Sequence, residues 1–131
     1  MTKSIIARVV DQYMSAWNSA DAAACHKLLA ECWSERGTYI DPTIVLVGRT
    51  ALAMHIAQVQ SRRPGARLEF MSGVDIHHNV VRFLWRQVRA DGTAGQTSID
   101  FGEIGSDMKF TRMVGFFGDA PSLDLPESRT S

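Results

Sequence analysis

The sequence has no apolar run of more than a few residues, so no segment of it reads as a bilayer span. It has no excess of either charge, with 14 basic and 14 acidic residues, and therefore no electrostatic footprint for nucleic acid. Arg8 and Asp11 interrupt the N-terminal apolar stretch too early for a secretory signal, and a cytoplasmic protein is expected. Only two cysteines occur, Cys25 and Cys32. On a helix their spacing puts them on one face but about 10 Å apart along the axis, too far for a disulfide. Both read as small buried apolar residues. There is no G-x-S-x-G elbow, no phosphate-binding glycine loop, no dinucleotide fingerprint and no zinc-ligand spacing, so no cofactor and no metal are expected.

What is present is a chain of 131 residues with 45% apolar and 21% charged side chains, the size and balance of one globular domain. Ile6, Val10, Tyr13 and Trp17 recur at helical spacing and predict a helix over 4–17, broken by Asn18 and Ser19. Asp21 is a candidate cap for a second helix over 22–33, whose inward stripe is Cys25, Leu28, Leu29, Cys32 and Trp33. Gly37 closes that region, and a short strand over 38–41 runs into Pro42. A third helix is expected over 50–62, with Leu52, Ile56 and Val59 inward and Pro64-Gly65 as its stop. Arg62, Arg63 and Arg67 around that stop read as a solvated helix end or, alternatively, an anion site.

The rest is strand-like: 67–72, a long run over 74–89, a return over 95–104 after Asp91-Gly92, and 108–117 after Gly105-Ser106-Asp107. From residue 119 onward the chain reads as a loosely ordered tail on a core of about 5–118. Helices first and a meander afterwards predict an α+β fold: three N-terminal helices packed on one face of a curved, mostly antiparallel sheet, cone-shaped and enclosing a pocket.

Strand parity indicates the pocket face. A two-residue turn at Asp91-Gly92 sets Phe83 opposite Asp100 and Trp85 opposite Ser98, which gathers Val81, Phe83, Trp85, Ser98 and Asp100 on one side and sends Arg82 and Arg86 to the other. A carboxylate in that apolar layer is either a structural hydrogen-bonding partner or a site residue with a raised pKa. Asp41, before Pro42, is a turn residue or a site carboxylate, and it shares a face with Tyr39. Tyr13 is a core tyrosine or an inward donor. His55 lies on the apolar side of the third helix as a core histidine or a pocket group. His77 and His78 are adjacent, so in one strand they point to opposite faces and cannot share a metal.

Three segments carry a family resemblance: the run from Tyr13 through Trp17-Asn18 to Asp21, then Tyr39-Ile40-Asp41-Pro42, then Gly48 to Leu52. With His77-His78, Phe83-Leu84-Trp85 and Gly115 to Gly118, they make residues 5–118 resemble the nuclear transport factor 2-like superfamily, which includes SnoaL-like polyketide cyclases and ketosteroid isomerases. The resemblance implies a cone of curved sheet closed by helices, often a homodimer through the convex face. It also implies, by position, Tyr13, Asp41 and Asp100 as a catalytic set, in which an aspartate is the base and a tyrosine with a protonated aspartate forms the oxyanion hole. Trp17, Tyr39, His55, His77, Val81, Phe83, Trp85, Ser98 and Met113 are then the expected pocket wall for a small apolar or polycyclic ligand. Two functions stay open: a cofactor-free isomerase or cyclase working on an enolisable carbonyl compound, and a non-catalytic binding or association module. Epoxide hydrolysis through an Asp-Arg-Asp set ranks last, because parity turns Arg82 and Arg86 away from the pocket.

Overall fold

The first helix begins where the Thr2 side chain accepts from the Ile5 amide, and it runs Lys3–Trp17 (α1). Its stripe is buried as the spacing requires, with Ile6, Val10 and Tyr13 inward and Val9 and Met14 beside them. Asn18 ends it, and the Asn18 amide then pairs with the Leu68 backbone, donating to the carbonyl at 2.9 Å and accepting from the N–H at 2.7 Å. Asp21 caps the second helix, Ala22–Cys32 (α2), by accepting from Ala23 and Ala24. Cys25, Leu29 and Cys32 are buried along it, and burial pushes the Cys32 thiol up to about 12. The computed structural model describes residues 2–124.

The next strand, Trp33–Asp41 (β1), is longer than the four residues expected. Trp33 leaves the helix in an extended conformation and stacks its ring on Tyr13, with centroids 5.7 Å apart. The strand is irregular over its first half: Trp33 lies opposite Phe110 but Thr38 lies opposite Arg112. The Trp33 carbonyl left free by this is taken by the Arg49 guanidinium at 3.0 and 2.7 Å. Gly37 is needed inside this strand, because a Cβ there would stand 2.6 Å from the Trp33 indole nitrogen. A second strand, Ile44–Val47 (β2), which the sequence did not announce, folds back on β1. The third helix, Arg49–Arg62 (α3), buries Leu52, His55 and Ile56, with Val59 half-buried.

Four of the remaining five strands are Arg67–Phe70 (β3), Asp75–His77 (β4), Val80–Val88 (β5) and Ser98–Ile104 (β6). The last is Phe110–Phe116 (β7). The long run over 74–89 is thus two strands, not one. The chain reverses at His78-Asn79, with His78 at φ 50°, and Asn79 is held to Ile104 through both its backbone and its side chain. The reversal also corrects the histidine geometry: His77 and His78 are exposed on the same hairpin with their Nδ1 atoms 3.0 Å apart, not on opposite faces.

The sheet order is β2-β1-β7-β6-β5-β3, with β4 on β5, and every pairing is antiparallel except β1 with β7. The helices pack on one face, giving the α+β architecture expected, with a sheet that does not close. No described helix is long and apolar enough to cross a membrane.

The register of β5 on β6 is as expected, Phe83 opposite Asp100 and Trp85 opposite Ser98, although the turn between them is not. Arg89 donates to the Thr93 carbonyl around a three-residue loop with Gly92 at φ 88°. Val88 accordingly bridges to Ala94, and one extra residue before Ser98 restores the register. Val81, Phe83, Ser98 and Asp100 are buried and Trp85 is half-buried on the helix side, while Arg82 and Arg86 pair outside with Asp75 and Glu69. Of the expected tail, 119–124 form no helix or strand, and 125–131 lie outside the described residues.

Candidate acid–base site

Between the helices and the concave sheet face lies a cavity of about 740 Å³, within the range of about 300–1,000 Å³ typical of small-molecule pockets. Tyr13 and Trp17 enter it from α1, Tyr39 and Asp41 from β1, His55 from α3, Trp85 from β5, and Ser98 and Asp100 from β6. All three residues of the expected catalytic set therefore line one space.

Asp41 makes the turn its sequence suggested and also lines the cavity. One oxygen, Oδ1, accepts from the Thr43 amide at 2.7 Å and the Thr43 hydroxyl at 2.6 Å, which makes the turn after Pro42. The other, Oδ2, accepts from the Tyr39 hydroxyl at 2.7 Å. A carboxylate has about four lone-pair directions, so one is left for the cavity. Burial, then the bond to Asp41, raises the Tyr39 pKa, and the phenol stays a neutral donor.

Asp100 sits in the opposite condition. It is 5% exposed, and burial pushes its pKa up to about 7, aided by the charge of Asp41. The Trp85 indole N–H lies near enough to oppose that rise but not in hydrogen-bonding geometry. The two carboxyls flank Gly115. Gly115 pairs with Asp100 across β6 and β7, and Ile40 pairs with Val114 across β1 and β7, so Asp41, Gly115 and Asp100 form a row across three strands. A Cβ on Gly115 would stand 2.8 Å from Asp100 Oδ1. Gly115→Ala is therefore expected to displace the Asp100 carboxyl and to cost about 1–3 kcal/mol of stability. Urea denaturation is the measurement, and an unchanged midpoint would show that the site relaxes freely.

Three buried donors have no acceptor: the Tyr13 hydroxyl and the indole N–H groups of Trp17 and Trp85. All three belong to residues lining the cavity. An unsatisfied buried donor costs about 1–3 kcal/mol, so these three groups are available to acceptor atoms that enter the cavity. Burial and the nearby Asp100 raise the Tyr13 pKa, so it too remains protonated. His55 packs against Trp17 and Tyr39, and burial lowers its pKa, with Arg62 adding to the drop and Asp41 opposing it.

Four expected wall residues lie elsewhere. Val81, Phe83 and Met113 do not reach the cavity, because their side chains fill the core, where Phe83 meets Phe70 edge-on at 5.5 Å. His77 is outside altogether, carried away by the hairpin at His78. Several wall residues were not anticipated: Thr43, Leu68, Gln87, Gln96 and Phe117, with Arg62, Arg63 and Arg89 at the rim. Asp41-Pro42-Thr43 was a legible turn signal for the first. The others become neighbours only through the sheet order. Among the described residues no three metal-ligating side chains come together.

No family model and no curated protein sequence matches this chain. Its structure is similar to that of a SnoaL-like family protein from Agrobacterium tumefaciens, described as a candidate isomerase, at 26% identity over 88% of this chain and 99% of that one, with a TM-score of 0.83. It is also similar to an NTF2-like protein from Exiguobacterium, at 17% identity over 85% of this chain and 98% of the other (TM-score 0.68). A candidate polyketide cyclase from Sinorhizobium meliloti matches at 12% identity over 82% and 93% of the two chains (TM-score 0.67). The chain carries the nuclear transport factor 2-like fold in its SnoaL-like form.

Proposed function

We propose that this protein is a cofactor-free acid–base enzyme for a small organic carbonyl compound, an isomerase or a cyclase. The observation that carries the reading is the pairing, in one cavity, of a carboxylate fixed by three hydrogen bonds with a buried carboxyl whose pKa is pushed up to about 7. Asp41 takes a proton from the carbon beside the carbonyl, and the electron pair moves onto the carbonyl oxygen. Tyr13 and protonated Asp100 donate hydrogen bonds to that oxygen while it is negative. Return of the proton to another carbon gives isomerisation; attack of the enolate carbon on a second carbonyl closes a ring, re-forms the first carbonyl and leaves an alkoxide that takes the proton back from Asp41. The candidate isomerase and candidate cyclase among the similar structures are consistent with either outcome.

The test is solvent-deuterium exchange at the carbon beside the carbonyl, followed by NMR across a panel of bicyclic and tricyclic ketones. Exchange above the buffer rate is expected, and Tyr13→Phe should slow it by about 10²–10³-fold, the usual effect of removing one oxyanion donor. Absence of acceleration across the panel would leave the second reading, a binding module. That reading is favoured by one observation: Tyr13 is 1% exposed and packed against Trp33 and Phe110, as a core residue would be. Epoxide hydrolysis has no matching support, since Arg82 and Arg86 are ion-paired on the far face.

The same proposal includes a homodimer. The convex face exposes Val45, Val47, Phe101 and Phe116, with Ile99 and Val114 half-buried between them. A twofold contact covers such a face with itself. Sedimentation at micromolar concentration is expected to give the dimer mass, and Phe101→Glu the monomer.

A further inference from the structure

The rim of the cavity differs in charge from its floor. Asp41 and Asp100 lie inside, and Arg62, Arg63 and Arg89 stand at the opening, all three exposed. On the neighbouring strands β3 and β5, Arg67 and Arg86 are paired with Glu69, and Arg82 with Asp75. Among the described residues no carboxylate oxygen comes within 4.0 Å of the three rim guanidiniums. Arg63 bonds to a neutral amide, Gln87 Oε1, at 2.6 Å, and Arg89 to the Thr93 hydroxyl at 3.3 Å. Asp91, the acid nearest Arg89 in sequence, spends one oxygen on the Thr93 amide and hydroxyl. Arg63 and Arg89 also line a second depression of about 400 Å³, with Pro64, Ala66, Ala90 and Asp91.

Grouping like charges at an opening is unfavourable by itself and attracts anions to it. The wall offers apolar surface from Trp17, Val59, Leu68, Trp85 and Phe117, interrupted by the amides of Gln87 and Gln96. At the bottom are the three unpartnered donors of Tyr13, Trp17 and Trp85, an independent sign that a ligand brings acceptor atoms there.

We infer that the ligand is an amphipathic anion: an apolar, ring-bearing body with acceptor oxygens at its buried end and a carboxylate or phosphate at its outer end, held by Arg62, Arg63 and Arg89. This rests on the cavity being the ligand site, and it deepens the reading above by naming the substrate class. Free carbonyl acids and acyl phosphates share this chemistry; neutral sterols and unsubstituted polycycles lack it.

The test is binding, which does not depend on turnover. The probes are 2-naphthoate, 2-naphthyl phosphate and the neutral 2-acetonaphthone, titrated by tryptophan fluorescence at pH 6. At low ionic strength either anion is expected to bind at least about tenfold more tightly than the ketone. The preference should vanish near 1 M salt, where the screening length is about 3 Å. It should also vanish in the Arg62→Gln/Arg63→Gln/Arg89→Gln variant, which alters only exposed side chains and should still bind the ketone. The better anion tells a carboxylate tail from a phosphate tail. Equal affinities for anion and ketone, a preference that survives in the variant, or no binding of any probe at millimolar concentration overturns the inference. Anion preference without deuterium exchange would instead count against the acid–base reading alone.

Discussion

Asp41→Asn is expected to slow deuterium exchange and turnover by about 10²–10⁴-fold, the range contributed by a positioned general base. The substitution is informative because it changes little else. An asparagine oxygen still accepts from the Thr43 amide and hydroxyl, so the turn after Pro42 survives. The Tyr39 hydroxyl meets either the same oxygen or the new amide group, at the cost of one bond that is now 2.7 Å long. What disappears is the charge and the lone pair that would take the proton. Circular dichroism and the thermal midpoint should show a folded protein, which separates loss of chemistry from loss of structure. Exchange within tenfold of the parent would remove Asp41 as the base.

The second large effect is a pH dependence of stability traceable to one carboxyl. In the unfolded chain Asp100 titrates at its ordinary value of 3.8; in the folded protein burial holds it near 7. Between those values the folded state binds the proton that the unfolded state has released, so stability falls as pH rises. The loss begins above about pH 4 and is complete above about pH 7. Three pH units at about 1.4 kcal/mol each make it on the order of 4 kcal/mol. Asp100→Asn removes this penalty, since an amide does not ionise, and it should be the more stable protein at pH 8 while differing less at pH 4. Urea denaturation of both proteins at pH 4.5, 6 and 8 reads the crossing. Turnover should follow the same group: a neutral carboxyl donates to an enolate oxygen and an ionised one does not, so parent activity declines above about pH 7. The asparagine variant keeps a donor, is only modestly slower and lacks that decline. Parallel stability curves for the two proteins would show that Asp100 is not the titrating group.

The architecture was readable where a local rule had one answer. Asp21 capped its helix, the Tyr13 stripe went inward, and parity along β5 put Trp85 and Asp100 on the helix side and Arg82 outside. The register was right for an incomplete reason: a shorter turn was assumed, and an extra residue before Ser98 compensates for the longer one. Where the reading failed, the deciding contact was distant. The start of β1 at Trp33 depends on Phe110 across the sheet and on Tyr13 above it, and neither leaves a mark on residues 33–37. The hairpin at His78 lacks glycine and proline, and its partner is the backbone of Ile104. The rim arginines were visible as a cluster at 62–67, yet Arg89 joins them only because β3 pairs with β5. For the same reason Phe83 and Val81, on the predicted face, fall below the floor of the cavity: parity gives the side of a sheet and not the depth along it.

Among the described residues the single parallel pairing, β1 with β7, joins segments far apart along the chain. Ile40 waits for Val114, and the two carboxyls come into one row only when Gly115 enters between them. Contacts so distant along the chain are slow to form. Without β7 the β1–β2 hairpin would have one edge without a partner, and no strand would join Asp41 to Asp100. Strand β7 is thus the element on which the spacing of the two carboxyls depends.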